Sequence, residues 1–351
     1  MINEFSEGIA IVENGKGEKT YNSKLISYIN KEGKELIPFK DCALATFPKI
    51  VEGRLIARDE SYVGFMDDKG NMVIPGMYLF VNDFSEGVAA VLGDKTNNHK
   101  WGYIDREGKE AISFEYDRAE SFSEGMAKVK RNEKWGYIDK EGKQIIDFTY
   151  DEAESFSEGM AKVKINGKWG YIDKEGKQIA DFIYDEAESF SEGMAKVKRD
   201  GKWGYINKEG KEVIDCKYPR AFSNFSEGLA IVVSETGKQG YIDKTGNMII
   251  SPTTYYELGV FSNGLASVRQ IENGKFGYID TKGNEIIPCI YEYAGDFKDG
   301  IAKVQNGKFG CIDIEGNEVI PLVFDSVSSY EDGIVRVKEG DKWGMYGIVE
   351  K

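Results

Sequence analysis

The sequence predicts an all-β protein, a tandem array of about ten units of about 34 residues, each a three-stranded antiparallel meander. Three observations predict this fold. Trp-Gly-Tyr-Ile-Asp recurs at a nearly fixed interval, and Phe-Ser-Glu-Gly-x-Ala-x-Val precedes each copy. Residues 119–152 and 153–186 differ at only four positions, which sets the local period. Apolar and charged residues alternate within each unit, as in half-buried strands.

The copies vary in quality along the chain. The first phrase occurs, complete or relaxed, at Ser27–Asn30, Val63–Asp67, Trp101–Asp105, Trp135–Asp139, Trp169–Asp173, Trp203–Asn207, Gln239–Asp243, Phe276–Asp280, Phe309–Asp313 and from Trp343. The glycines of the second phrase are Gly8, Gly87, Gly125, Gly159, Gly193, Gly228, Gly264, Gly300 and Gly333, with Gly53 in a worn copy. We interpret residues 1–351 as a single array. Its best-kept repeats span 85–235, worn repeats with loop insertions span 1–84, and looser repeats span 236–351.

One unit illustrates the predicted meander. Residues 160–165 form a first strand, and Asn166-Gly167 predicts a type I′ hairpin turn because both positions must adopt a positive φ. Residues 168–173 return as the second strand, and a turn ending at Gly176 leads into a third strand from 178 to about 184. An acidic link at 185–188 then joins the next unit.

The two-residue turn fixes which residues face each other across the hairpin. Val163 is expected opposite Gly170, on a small apolar face where the bare glycine lets another unit approach closely. On the other face, Lys164 is expected opposite Trp169 and Lys162 opposite Tyr171, so that lysine stems can pack over the aromatic rings.

Two arrangements of the units are compatible with the sequence, an open array and a closed ring. Propellers have about four to eight blades of four strands, whereas this chain has about ten units of three predicted strands. The chain also opens on a first strand and ends after a second, with no evident complement between the termini. These features favour an open solenoid or superhelix, with a closed propeller-like ring as the alternative.

Composition and charge narrow the classes of partner and cofactor expected for this chain. The net charge of −14 argues against nucleic acid and anionic membrane surfaces as partners. No apolar run is long enough to insert into a membrane. The four cysteines are interpreted as buried, reduced thiols, the single histidine His99 as a solvated loop residue, and no metal or other cofactor is expected. The chain would be cytoplasmic if it is full length, and exported or on the cell surface if a signal segment was removed.

The Lys-Trp-Gly-Tyr-Ile-Asp phrase resembles the bacterial WG-repeat family, also called KWG repeats. The similarity extends over essentially the whole chain and is strongest in copies four to seven. The resemblance implies tandem β units that act as interaction modules, and it brings no catalytic residues. Glutamine or phenylalanine at the tryptophan position (Gln239, Phe276, Phe309) and Cys311 at the tyrosine position depart from the family phrase.

The recurring aromatic residues admit two interpretations. In the structural one, they pack between successive units. In the other, they form a row of binding platforms at Trp101, Tyr103, Trp135, Tyr137, Trp169, Tyr171, Trp203 and Tyr205. No catalytic constellation is apparent, so we expect a non-enzymatic scaffold for a protein partner, with carbohydrate or cell-wall polymer binding through the platforms as the alternative. An enzyme hidden in the irregular first third would instead show titratable groups with perturbed pKa values clustered in a pocket.

Overall fold

The structure is a computed structural model that describes residues 9–14, 25–30, 34–41, 50–59, 62–251, 255–328, 330 and 333–348. The chain divides into two compact units, one formed by 1–167 with 171–178 and the other by 168–170 with 179–351. The described residues form ten antiparallel sheets, which we number in chain order. The predicted count of about ten repeats is therefore confirmed for this part of the chain.

The first unit contains sheets 1 to 4. Sheet 1 consists of three described strands, and sheets 2 to 4 each consist of a two-residue strand followed by three longer ones. The strands are Ile9–Asn14, Leu25–Asn30 and Glu35–Asp41 in sheet 1; Ile50–Val51, Arg54–Asp59, Tyr62–Met66 and Met72–Tyr78 in sheet 2; Phe80–Val81, Val88–Leu92, Trp101–Asp105 and Glu110–Tyr116 in sheet 3; and Arg118–Ala119, Ala127–Arg131, Lys134–Ile138 and Gln144–Tyr150 in sheet 4.

Sheet 5 has strands Glu152–Ala153, Met160–Ile165, Lys168–Asp173 and Gln178–Tyr184. Sheets 6 to 10 belong to the second unit; sheets 6 to 9 again have four strands and sheet 10 has three described strands. Their strands are Glu186–Ala187, Met194–Arg199, Lys202–Asn207 and Glu212–Tyr218 in sheet 6; Arg220–Ala221, Leu229–Val233, Gln239–Asp243 and Met248–Ile250 in sheet 7; Tyr255–Leu258, Leu265–Gln270, Phe276–Asp280 and Glu285–Tyr291 in sheet 8; Tyr293–Ala294, Ile301–Asn306, Lys308–Asp313 and Glu318–Phe324 in sheet 9; and Ser326–Val327, Ile334–Glu339 and Lys342–Gly347 in sheet 10.

The prediction of three strands per unit is wrong, because most sheets have four. The additional strand comes from the link that the sequence marks only as acidic. In sheet 6, Glu186 and Ala187 pair with Lys198 and Val197 on the next strand. A two-residue strand gives no alternating pattern, so the sequence carries no period-two signal for it.

The predicted turns and hairpin register are confirmed. Asn166 and Gly167 have φ values of 50° and 80°, as a type I′ turn requires. In sheet 4, Val129 pairs with Gly136 and Lys130 with Trp135, the register expected for each unit.

The glycine of the Trp-Gly pair has a different close neighbour from the one predicted. A Cβ atom added to Gly136 would lie 2.7 Å from the carbonyl oxygen of Ile146, on the fourth strand of its own sheet. The register between these strands shifts between Trp135 and Tyr137, so a bulge carries the fourth strand over the glycine. The glycine therefore admits its own sheet's backbone rather than a strand of another unit.

The hydrophobic cores lie between successive sheets. Tyr103, Ile112 and Tyr116 of sheet 3 pack with Ala127 and Val129 of sheet 4. The same arrangement recurs in the second unit between sheets 8 and 9. Both faces of the central strands are thus buried, one against the preceding sheet and one against the following sheet, which explains why a single repeat cannot form a core alone.

Irregular sequence at Asn14–Lys24, Lys40–Val51 and Gly93–Lys100 predicts three loop insertions in the first third of the chain, and the structure describes them only in part. Residues 93–100 form a loop that contains a single three-residue 3-10 helix, Lys95–Asn97. Of the other two insertions, residues 15–24 and 42–49 lie outside the described residues. Within the described part of the chain, no helix is long and apolar enough to span a membrane.

Candidate functional site

The four tyrosines of the predicted platforms lie in the core. Tyr103, Tyr137, Tyr171 and Tyr205 are each 0% exposed, so none presents a ring face to a ligand. Each of the three hydroxyls for which the bond is defined donates a hydrogen bond to a backbone carbonyl in the next repeat. The bonds are Tyr103 to Glu120 (2.7 Å), Tyr137 to Glu154 (2.6 Å) and Tyr205 to Ser223 (2.9 Å). These tyrosines thus bond one repeat to the next.

The phenylalanine of the second phrase completes this contact. The ring of Phe122 meets Tyr103 edge to face, with centroids 5.1 Å apart, and Phe156 meets Tyr137 in the same way at 4.9 Å. Edge-to-face pairs of this kind stabilise packing by about 0.5–1.5 kcal/mol beyond the area that they bury. The two recurring phrases therefore pair across the boundary between repeats, the tyrosine of one with the phenylalanine of the next.

The tryptophans lie at the margin of the same cores. Trp101, Trp135, Trp169 and Trp203 are all half-buried, as are Phe276, Phe309 and Trp343 at the same position of later sheets. We call Trp101, Trp135, Trp169 and Trp203 the tryptophan row. Unlike the tyrosines, these side chains keep part of their surface in contact with solvent.

Lysine amines cover the rings of the row where the contacts are defined. Lys128 and Lys130 place their Nζ atoms 5.4 Å and 6.0 Å from the ring centroid of Trp135. Lys196 and Lys198 lie 4.9 Å and 5.4 Å from that of Trp203. At these distances a cation is attracted to the electron-rich ring face. The predicted packing of lysine stems over the aromatic residues is confirmed at both sheets.

Lys128 is largely enclosed, with its side chain 13% exposed. Its amine donates to the carbonyl oxygen of Ala153 at 3.0 Å and to Oε2 of Glu154 at 3.1 Å, both in the next repeat. A buried ammonium is costly unless it is hydrogen-bonded and paired. The lysine therefore connects the Trp135 ring to the following sheet.

The glutamate of the second phrase forms a further contact between repeats, which the sequence analysis missed. The carboxylate of Glu124 accepts a hydrogen bond from the backbone N–H of Gly159, the equivalent glycine of the next repeat, at 2.8 Å, and forms an ion pair with Lys174 at 3.3 Å. Burial acts to raise the pKa of Glu124, but hydrogen bonds from the backbone of Gly159 and Glu158 and from Lys174 outweigh it and hold the pKa below its ordinary value.

The same contact recurs in both units. The backbone N–H groups of Gly87, Gly125, Gly228 and Gly264 bind the carboxylates of Glu52, Glu86, Glu192 and Glu227. The bond from Gly87 to Glu52 confirms that Gly53 marks a worn copy, because Glu52 occupies its glutamate position. These glutamates have positive φ values, as Glu124 does at 54°. A non-glycine residue with positive φ is unusual and signals a specific constraint. In the sequence, the available signal was the recurrence of glutamate directly before the glycine of the phrase.

The serine of the second phrase adds a hydrogen bond beside each glutamate. Its hydroxyl donates to the carbonyl oxygen of the phenylalanine one repeat later. The bonds are Ser85 to Phe122, Ser123 to Phe156, Ser191 to Phe225, Ser226 to Phe261 and Ser262 to Phe297, at 2.7–3.1 Å. The Phe-Ser-Glu-Gly phrase thus supplies three separate contacts between repeats.

The lysine before each tryptophan also binds across the repeat boundary. Lys168 forms an ion pair with Asp185 at 2.5 Å, and Lys134 pairs with Asp151 in the same way. The second oxygen of Asp151 accepts a hydrogen bond from the backbone N–H of Asn166 at 2.8 Å, in the hairpin turn of the next sheet. The acidic link is therefore occupied in binding its neighbours rather than left fully solvated.

The cysteines and the histidine take structural or solvated positions. Cys289 and Cys311 are buried and Cys216 is half-buried, and all three are free thiols. Burial raises the pKa of each to about 12, so they are protonated at neutral pH. Cys42 lies outside the described residues, and His99 is exposed in its loop, as predicted.

A family model described as a WG containing repeat matches the chain eight times. The matches cover residues 64–92, 101–135, 135–169, 169–203, 203–235, 240–275, 276–308 and 309–343. The chain belongs to the WG-repeat family. No curated protein matches it.

Among solved structures, this WG-repeat protein is similar to one described as the crystal structure of the eukaryotic initiation factor. That likeness has a TM-score of 0.51 and 12% identity, and covers 84% of this chain and 92% of the other. The matched structure is propeller-like. At this identity the similarity concerns the fold alone, that is, the repeated antiparallel sheets. BamB from Moraxella catarrhalis (10% identity, 77% and 94% coverage, TM-score 0.36) and apo AztD from Citrobacter koseri (13%, 84% and 90%, 0.36) are too distant to bear on the fold.

Proposed function

We propose that this WG-repeat protein is a non-enzymatic scaffold that binds a protein partner along the tryptophan row. The observation that supports this most is the recurrence, on successive sheets, of a half-buried indole surrounded by charged side chains. Tryptophan is enriched where protein surfaces meet, and charged groups beside it add specificity. Because the same surface repeats, several weak contacts along one partner would sum to a high avidity.

The acidic residues of the repeats support a scaffold rather than an enzyme. Glu52, Glu86, Glu124 and Glu192 have lowered pKa values because they bind backbone N–H groups and cations of the next repeat. Their environment is repeated from sheet to sheet, whereas a catalytic site needs one distinct constellation. Among the described residues, no group of three or more histidine, cysteine, aspartate or glutamate side chains is placed to hold a metal ion.

Carbohydrate binding is the alternative function. A sugar stacks on an open aromatic face, and Trp135 and Trp203 each have two lysine amines within 6.0 Å of the ring centroid. Those amines would have to move before a sugar ring could lie on the same face. This favours a protein partner, whose carboxylates can bind the amines. A glycan array probed with the full chain tests the alternative directly.

We propose that the repeats form an open array. The ten sheets within the described residues exceed the four to eight blades that propellers typically have. The alternative is a closed ring. Two observations favour it: propeller blades have four strands, as most of these sheets do, and the matched structure is propeller-like. Small-angle scattering distinguishes them, because an open array gives an elongated particle and a ring gives a compact one with a central channel.

Partner capture by the immobilised full chain tests the protein-binding proposal. The chain is exposed to lysate and envelope fractions of its source organism, beside a variant with Trp101, Trp135, Trp169 and Trp203 all changed to phenylalanine. This chain itself carries phenylalanine at that position in sheets 8 and 9, so the fold should tolerate the change. We expect the variant to lose most of the captured protein.

A matched control changes charged residues away from the row. Lys109, Lys143 and Lys177 are exposed in the turns before the fourth strands of sheets 3, 4 and 5, and their change to glutamine should leave capture intact. Capture that is equal for the wild type and the phenylalanine variant would show that the row is not the binding surface. Failure of the wild type to capture any protein, together with a positive glycan array, would favour the carbohydrate alternative.

A further inference from the structure

Sheet 7 departs from its neighbours in the residues at the boundary with sheet 6. The link before sheet 6 reads Asp185-Glu186-Ala187-Glu188, whereas the link before sheet 7 reads Pro219-Arg220-Ala221-Phe222. Three carboxylates are thus replaced by a proline, an arginine and a phenylalanine. At the tryptophan position, sheet 7 has Gln239.

These replacements change a row of side chains that crosses the sheet. In sheet 6 the row pairs Glu186 with Lys198, and Lys198 with Trp203. In sheet 7 the same row pairs Arg220 with Val233, and Val233 with Gln239. An acid, a lysine and an indole are therefore replaced by a cation, a short apolar residue and an amide.

The smaller side chains leave a depression of about 310 Å3 in the surface of sheet 7. Arg220, Phe222, Val233 and Gln239 line it, and Phe222 is 54% exposed. Glu235 contributes the one carboxylate of the lining, and that group pairs with Lys202 at 2.6 Å. Lys202 takes this partner because the aspartate that Lys168 binds in the preceding repeat is replaced here by Pro219.

The cations around Phe222 have lost their usual acidic partners. In sheet 4, Nε of Arg118 lies 3.4 Å from Oε1 of Glu120, two residues further on. The corresponding position after Arg220 is Phe222, and the guanidinium of Arg220 forms no ion pair or hydrogen bond with any of the described residues.

The lysine that faces this position is affected in the same way. Lys128 binds the carboxylate of Glu154, whereas its equivalent Lys196 has Phe222 at that position and donates to the carbonyl oxygen of Ala221 at 3.3 Å. In a chain with a net charge of −14, this boundary therefore presents the guanidinium of Arg220 without a carboxylate partner next to an exposed aromatic ring.

We propose that this depression, the Arg220 site, binds a partner segment in which an aspartate or glutamate stands next to an aromatic or branched apolar residue. The proposal rests on the scaffold function and names the chemistry of one of its contacts. The carboxylate would form a bidentate pair with the guanidinium of Arg220. The apolar side chain would enter the space between Phe222 and Val233 that an indole and a lysine stem occupy in sheet 6.

Fluorescence anisotropy with a labelled Gly-Ser-Asp-Phe-Asp-Ser-Gly peptide tests this proposal on the full chain. Two variants remove the site with residues that neighbouring sheets carry at the same positions: Arg220→Glu and Gln239→Trp. We expect each to weaken binding at least about tenfold. As a matched control, Arg118→Glu should leave the affinity unchanged, because Arg118 already has an acidic partner in Glu120.

Three further probes test which groups of the peptide the Arg220 site recognises. A peptide with lysine in place of aspartate should not bind, one with serine in place of phenylalanine should bind more weakly, and phenylacetate should not compete. The proposal is overturned if the wild type shows no saturable binding, if both site variants bind like the wild type, or if the lysine peptide binds equally well. Competition by phenylacetate at the peptide's own affinity would also overturn it, because the site would then recognise a small carboxylate.

Partner capture separates this proposal from the scaffold proposal. If the wild type captures a protein and Gln239→Trp captures it equally, the Arg220 site is wrong for that partner and the scaffold stands. If the wild type captures no protein while the acidic peptide binds, the scaffold proposal fails. Loss of both capture and peptide binding in Gln239→Trp and Arg220→Glu, with unfolding transitions like that of the wild type, supports the site.

Discussion

The repeat around Trp135 and the repeat around Phe309 have the same strand pattern but different residues at equivalent positions. In the central repeat, the Tyr137 hydroxyl binds the next repeat and its ring meets Phe156. In the C-terminal repeat, Cys311 replaces the tyrosine and has no hydroxyl to donate. The phenylalanine position of the following repeat holds Tyr330, which is buried with Cys311 in one cluster. A small residue on one side is thus offset by a larger one on the other.

The contacts of the second phrase in the central repeat are kept in sheet 8, the repeat that precedes that of Phe309. Ser123 binds the carbonyl oxygen of Phe156 at 2.9 Å, and Ser262 binds that of Phe297 at 2.7 Å. Asn263 stands where the central repeats have glutamate, and still accepts a hydrogen bond from the next glycine at 3.0 Å. The comparison indicates that these contacts of the second phrase extend into sheet 8, whereas sheet 9 has Lys298 and Asp299 at the serine and glutamate positions and Cys311 at the tyrosine position.

The largest expected difference between the regions is at the tyrosine position. Tyr137→Ala should lower the free energy of unfolding by about 4 kcal/mol, because it empties a fully buried space and removes a hydrogen bond. Cys311→Ala should cost about 1 kcal/mol, since it removes only one buried sulfur. Urea unfolding of both variants measures this. Equal losses would show that the two interfaces do not differ in the way described.

The tryptophan position should show a smaller difference. Trp135→Ala is expected to cost about 2 kcal/mol, less than for a fully buried ring, because the indole is half-buried and covered by Lys128 and Lys130. Phe309→Ala should cost about 1 kcal/mol, because a smaller ring with the single amine of Lys303 at 4.6 Å is removed. Thermal unfolding compares them, and a larger loss at Phe309 would reverse the proposed order.

Acid should weaken the contact that Glu124 makes in sheet 4 before the one that Asn263 makes in sheet 8. Glu124 has a lowered pKa in the folded chain, so its contribution is present above its ordinary pKa of about 4.5 and is lost as the pH falls through the lowered value. We expect the loss of this contribution to lower the free energy of unfolding by about 1 kcal/mol, since the carboxylate is partly exposed. Asn263 at the equivalent place does not titrate.

Urea midpoints of the wild type and of Glu124→Gln, measured from neutral to acid pH, test this expectation. The amide keeps an acceptor for Gly159 but loses the charge, so its midpoint should fall less steeply with acid. Parallel curves for the two proteins would contradict the role assigned to Glu124.

Loss of the serine contact should lower the free energy of unfolding by the same amount in sheet 4 and in sheet 8. Ser123→Ala and Ser262→Ala each remove one hydrogen bond to a carbonyl of the next repeat, worth about 1 kcal/mol. Matching losses in urea unfolding would confirm that this contact is shared. A loss confined to one region would show that the second phrase does not act uniformly.

Local features were predictable from the sequence, because the relevant contacts lie close together in the chain. Asn166-Gly167 fixed the turn of its hairpin and with it the register. The burial of Tyr137 was one of the two interpretations that the sequence left open, because its partner Phe156 belongs to the next repeat and alternation reports only which face a residue is on. The role of Glu124 was missed for the same reason, since its partner Gly159 lies one repeat away.

The most direct test of the account measures unfolding and partner capture on the same two variants. One carries Ser85, Ser123, Ser226 and Ser262 changed to alanine, and the other carries the four tryptophans of the row changed to phenylalanine. The account predicts that the serine variant loses stability but retains capture under conditions where it is folded, and that the phenylalanine variant retains most of its stability but loses capture. The reverse pattern would contradict it, because the tryptophan row would then hold the repeats together and the second phrase would bind the partner.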